Sequence, residues 1–162
     1  MLALAKSQKA SPMPMPYTYR HASAEYRLYL DTARDAMGLI SDNATYTATE
    51  AVLLCFRRRL TLRQALAFAD ILPCVLRAIF VARWQPTDPA PWGSRADQIA
   101  ECRALRPHHN LTPENCIDAV AEALTTQILP TDLAPVLAAI GPEAQAFWSV
   151  PPAHRHAVSF PG

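Results

Sequence analysis

"ADILPCVLRAIF", Ala69–Phe80, has a weaker copy in "AAIGPEAQAFW", Ala138–Trp148. Each carries an alanine-rich stretch into an isoleucine, one further residue and a proline. The correspondence extends outward. Ala51, Val52, Phe56 and Leu60 match Ala119, Val120, Leu124 and Ile128 at an offset of 68. With one residue added near Pro130 the offset becomes 69, and Ala65, Ala69, Ile71 and Pro73 meet Ala134, Ala138, Ile140 and Pro142. Shared apolar positions together with a shared helix-start proline point to two copies of one helical unit. A unit this short buries its apolar face poorly alone, so the pair is expected to share a core.

The surrounding chain fits that plan. Apolar residues make up 51% of 162, glycines number four, and no run alternates at strand period over strand length, which favours helix. Residues 1–22 mix Ser, Pro, Lys and Met without periodicity and read as a flexible arm. From Ser23, Tyr26, Tyr29 or Leu30, Ala33 and Met37 share one side of a helix that stops at Gly38. The polar stretch "SDNATY" reads as a loop, and Thr47 with Glu50 has capping-box spacing ahead of the stripe Val52, Leu53, Phe56 and Leu60. A second box, Thr61 with Gln64, opens a helix with Leu62, Ala65, Leu66 and Ala69 on one face. Pro73 suits the first turn of the next helix, whose buried side is Leu72, Val75, Leu76, Ile79 and Phe80.

The first unit thus spans residues 23–85. A proline-rich crossover occupies 86–93, and Trp92 within it is expected to pack between the halves. The second unit, 94–149, begins with Ser94 capping a helix to about Leu105, followed by the loop "RPHHN". Thr112 and Pro113 start a helix with Ile117, Val120, Ala121, Leu124 and Ile128 on one face. Pro130 and Pro142 open two more, and residues 150–162 form a second flexible tail. The fold class is all-α, with about eight short helices in two tandem related four-helix units around one core.

The series "EAVLLCFRRRLTLRQALAFADILPCVLRAIFVARWQP" resembles the bacterial domain-of-unknown-function family 2267. Leu60, Thr61, Leu72, Pro73, Trp84 and Pro86 carry the match, with Ile140, Pro142 and Trp148 as its echo. Gly141 departs from the leucine expected before the second proline, and His108–His109 replaces an acidic link. The resemblance covers about residues 24–148. It implies an all-helical double repeat from a bacterium and brings no established activity, so no catalytic residue follows from it.

Charge divides the chain. Met1–Pro86 holds eleven Lys and Arg against six Asp and Glu, and Thr87–Gly162 four against eight, so +5 and −4 sum to +1. Such a chain could dock head to tail with itself or present opposed faces to different partners. The triplet Arg57, Arg58 and Arg59 beside two short helices superficially suits DNA phosphates. The following helix is apolar at Val75, Leu76, Ile79 and Phe80, however, and leaves few side chains for base edges, so nucleic-acid binding is disfavoured. The triplet is better read as a solvated helix end. Asp97 and Glu101, at i and i+4, are expected to face water.

No ligand spacing surrounds His108, His109, His154 or His156, and no glycine context activates a serine or cysteine, so no metal, cofactor or catalytic residue is expected. Cys55, Cys74, Cys102 and Cys116 lack C-x-x-C spacing and read as buried reduced thiols. The N-terminus lacks a signal-peptide core, and no apolar run reaches the roughly 20 residues of a membrane span. A cytoplasmic, non-catalytic module that binds another protein, as an accessory subunit of a larger bacterial assembly, is therefore the expectation. Its partner-facing residues would be Tyr17, Tyr19, Arg57, Arg58, Arg59 and Phe160, the first two and the last lying in aromatic-prolyl ends. A small-molecule carrier or enzyme with a pocket between the units is the rival reading.

Overall fold

Nine helices and no strand occupy the described residues, 15–105 and 112–150, of the computed structural model. They are α1 (Tyr17–Arg20), α2 (Ala22–Met37), α3 (Asp42–Arg57), α4 (Leu62–Ile71), α5 (Cys74–Val81), α6 (Arg95–Ala104), α7 (Cys116–Thr125), α8 (Pro130–Ile140) and α9 (Pro142–Phe147). No helix among the described residues is long and apolar enough to cross a membrane.

The short α1 lies inside the segment expected to be an arm. The thiol of Cys74 on α5 donates to the Thr18 carbonyl and lies 3.2 Å from the Thr18 hydroxyl, which ties this turn to the body. Gly38 ends α2 as expected. Its φ of +66° is the left-handed conformation that turns the chain so that the Leu39 N–H reaches back to the Arg34 carbonyl. A side chain there would cost roughly 1 kcal/mol of backbone strain.

The start of α3 differs from expectation. Ser41, not Thr47, is the cap, with its hydroxyl accepting from the Ala44 N–H, so "SDNATY" forms the cap and first turns of the helix. Asp42 then sits in the first turn, where carboxylates are favoured. Arg27 and Arg34 of α2 reach it at 2.6 and 3.1 Å and fasten the two helices. The Arg27 hydrogen bond, seconded by Arg34, holds the Asp42 carboxyl down at about 2. The boxes at Thr61–Gln64 and Ser94–Asp97 are both formed. α7 begins at Cys116, after Thr112 and Pro113, with the Cys116 N–H turning back to the Pro113 carbonyl.

The two stretches interleave. α2 packs most extensively on α7, and α6 packs on α3; α3 also meets α7, and α4 meets α8. α2 and α7 run antiparallel: the Asn115 amide donates to the Ala36 carbonyl at one end, and Gln127 shares a cleft with Ala22 at the other. The first helix of each stretch therefore covers the second helix of the other, in place of two separate bundles pressed together.

At the centre Phe56 touches rings from both stretches: Phe68 at 4.8 Å, Phe147 at 5.1 Å, Trp148 at 5.1 Å and Trp92 at 5.9 Å. Tilted and edge-on rings at these distances add attraction beyond the area they bury. Trp92 also lies 6.5 Å from Phe147, so it packs between the halves as its position in the crossover suggested. The expected stripes on α3 and α7 are buried, as is that on α2 apart from the half-buried Tyr26. On α4 the buried face is Ala65, Phe68 and Ala69, whereas Leu62 and Leu66 are about half exposed, at 50% and 52%.

Candidate functional site

The Arg57–Arg59 triplet ends α3 with three different surroundings. Arg57 is half-buried: it donates to the Phe80 carbonyl, and its guanidinium lies 5.2 Å over the Trp84 ring. Burial pulls its proton affinity below the usual arginine value. Arg58 is exposed and meets Glu101 Oε1 at 2.9 Å. Arg59 turns inward, with its side chain only 4% exposed.

Each part of the Arg59 guanidinium finds an acceptor. Nε donates to the Trp92 carbonyl at 2.9 Å, Nη1 to the Cys55 carbonyl at 2.6 Å, and Nη2 to Glu101 Oε2 at 2.9 Å. Burial alone would make it a weaker base, but the Glu101 hydrogen bond and the neighbouring thiols reverse this and hold it charged. Arg59 therefore lies in the interior instead of on a solvated helix end. Glu101 is turned toward both arginines, contrary to the water-facing expectation, and Asp97 is engaged in capping through Ser94. The Gln98 amide also donates to the Trp92 carbonyl at 3.0 Å, so one crossover carbonyl is gripped from α3 and α6 together.

Against this buried ion pair lie three thiols from three helices: Cys55 of α3, Cys102 of α6 and Cys116 of α7, all buried. Arg59 Nη1 is 3.2 Å from Cys55 Sγ, and the same sulfur points at the Gln98 carbonyl, 3.7 Å away and one turn before Cys102. Cys102 sits between the other two. Its interactions with Cys116 and Cys55, together with burial, hold its proton firmly. The hydrogen bond from Cys102, aided by the Arg59 charge, lowers Cys55 below the usual thiol value. Cys102 also forms part of the wall of a cavity of about 210 Å³, with Thr47, Glu50, Ala51, Leu54, Arg83, Leu105 and Thr112. Glu50 is buried on this wall and pairs with the exposed Arg83 at 3.3 Å.

A second feature lies on the outside. α4 and α8 bound an open groove of about 360 Å³ lined by Arg63, Gln64, Ala67, Pro135, Val136, Ala139 and Ile140. Leu62 and Leu66 of α4 are exposed, and Leu129 just before α8 is 65% exposed. Of the eleven residues of α8 only Asp132 is charged, and only Leu137 is buried. The helix thus presents alanine and proline outward where a solvated helix ordinarily carries lysine and glutamate.

Sequence reasoning missed this groove because Leu62 and Leu66 fit an inward stripe; the lack of charge in "PTDLAPVLAAI" was the available signal. It missed the thiol cluster because no spacing along the chain connects residues 55, 102 and 116. Tyr17 and Tyr19 are exposed on α1, with the Tyr17 ring 4.0 Å from that of His21. Phe160, His108, His109, His154 and His156 lie outside the described residues. Among the described residues no group of three or more His, Cys, Asp or Glu is placed to hold a metal ion.

No curated protein sequence matches the chain. A family model does, described as "Uncharacterized conserved protein (DUF2267)", over residues 26–147, which takes in α3 to α9 and all but the first turn of α2. The matched span holds the Phe56 ring cluster apart from Trp148, the Arg59–Glu101 pair and both walls of the α4/α8 groove, and the chain belongs to the DUF2267 family.

Proposed function

We propose that the protein is a non-catalytic helical module that binds another protein through the α4/α8 groove. The observation that carries this reading is an apolar, nearly uncharged surface left open on two adjacent helices, where a monomeric soluble protein ordinarily shows mixed charge. Arg63 stands on its edge, and the lining residues include no carboxylate. The fitting occupant is an amphipathic segment that places small apolar side chains against Ala67, Pro135 and Ala139 and an acidic residue against Arg63. The aromatic-prolyl ends with Tyr17, Tyr19 and Phe160, and the outward Arg58, supply secondary contacts in this proposal.

The scaffold reading proposed with it is duplication. Exchanging the two stretches maps the α2–α7 pair onto α6–α3 and leaves the α4–α8 pair unchanged, which supports one unit written twice. A small-molecule role is the weaker reading, since the 210 Å³ cavity falls below the roughly 300 Å³ at which ligand pockets begin, and the larger α4/α8 groove is open and offers only Arg63 and Gln64 to orient a ligand.

The double variant Ala67→Glu/Ala139→Glu tests the groove. Both positions are exposed, so the melting temperature should stay within about a degree. Recovery of the specific partner by the purified protein should fall by about tenfold or more, equivalent to about 1.4 kcal/mol. Equal recovery by wild type and variant would remove the groove from the proposal, as would recovery of nothing beyond background by the wild type. A concentration-dependent dimer in light scattering, abolished by the same pair, would make a second copy of the chain the occupant instead.

A further inference from the structure

The cavity between α3 and α6 is too small for most metabolites but has room for a molecule of a few heavy atoms. Its wall offers hydrogen-bonding groups at Thr47, Glu50 and Thr112, and one thiol residue, Cys102. Behind Cys102 stands Cys55, whose sulfur is 3.2 Å from a guanidinium that cannot leave, because Glu101 and two carbonyls hold it. The fixed cation stabilises negative charge developing on the Cys55 sulfur, and the cavity gives a peroxide a place beside Cys102. From this arrangement we infer that Cys102 and Cys55 are an oxidation-sensitive pair, in which hydrogen peroxide entering the cavity converts the two thiols into a disulfide that pins α3 to α6.

Both sulfurs start as thiols, and that of Cys55 donates to the Gln98 carbonyl beside Arg59. The Cys102 sulfur attacks one peroxide oxygen, the O–O bond breaks, and the departing hydroxide takes the Cys102 proton and leaves as water. Cys102 is now a sulfenic acid. The Cys55 sulfur then attacks the Cys102 sulfur, the S–S bond forms, and the hydroxide displaced from Cys102 takes the Cys55 proton and leaves as the second water. Overall, two thiols and one peroxide give one disulfide and two waters. α3 and α6 pack closely, and the Cys55 sulfur lies 3.7 Å from the Gln98 carbonyl, on the turn of α6 that precedes Cys102. Cys116 also interacts with Cys102, but beside it stand the backbone N–H groups at the start of α7, a partial charge where Arg59 supplies a full one, and the opposing Asp118 carboxylate.

The experiment is peroxide titration of the reduced full-length protein, followed by intact mass and peptide mapping under non-reducing conditions. The expected result is a loss of about 2 Da, a Cys55–Cys102 linked peptide, and a melting temperature raised by several degrees that dithiothreitol reverses. A sulfenic-acid trap should label Cys102 in Cys55→Ala and leave Cys55 unlabelled in Cys102→Ala. Four free thiols after methionine oxidation has begun, a Cys102–Cys116 link, or reaction confined to the part-exposed Cys74 would each overturn the assignment. The wild-type peptide map decides the matter even where an alanine variant does not fold.

Discussion

Phe56→Ala is expected to lower unfolding free energy by about 4 kcal/mol, near the upper end of what one core substitution does. The side chain is fully buried and contacts four other rings, two of them from α9 and its cap, one from α4 and one from the crossover. Removing it opens a void between elements held by separate parts of the chain, and a site bounded on all sides collapses poorly. Urea denaturation measures the change, and Leu66→Ala on the open face of α4 serves as control, with an expected change within about 0.5 kcal/mol. A loss below roughly 2 kcal/mol for Phe56→Ala would mean that the rings close over the gap and do not form a fixed cluster.

Arg59→Met should cost about 3 kcal/mol or more, although the residue belongs to a run that reads as surface charge. Its side chain is almost fully covered, and its loss strands the Cys55 carbonyl, leaves the Trp92 carbonyl to Gln98 and leaves Glu101 with Arg58 alone. Arg58→Met, exposed on the same turn, should change stability by less than about 1 kcal/mol. The double variant Arg59→Met/Glu101→Gln should recover part of the loss, because removing both charges is gentler than leaving one buried without its partner. Chemical denaturation of the three variants decides this. Equal small effects at 58 and 59 would show that Arg59 is solvated.

The difference between these two arginines shows where reading the sequence stops. A triplet on a helix end looks solvated because its partner, Glu101, lies 42 residues away and no local pattern announces it. Helix identities were legible because apolar spacing reports a helix's own buried face, and Gly38, Thr61, Ser94, Pro130 and Pro142 mark ends by chemistry that acts within a few residues. Thr47 and Glu50 satisfied the capping template, but Ser41 caps earlier. The low helix preference of Asn43, Thr45 and Thr47 disguised the first turns as a loop. Leu62 and Leu66 failed for the opposite reason, since a helical stripe does not say whether anything lies against it. The pairing of α2 with α7 was likewise hidden, because periodicity gives faces and not neighbours.

That crossed pairing has a consequence for how the molecule comes into being. The most extensive partner surface of α2 is not synthesised until residue 116 and beyond, so a growing chain holds α2 only by its packing on α3 and α5 through most of translation. Maturation must then wait for contacts distant along the polypeptide, which slows the search and lengthens exposure to chaperones and proteases.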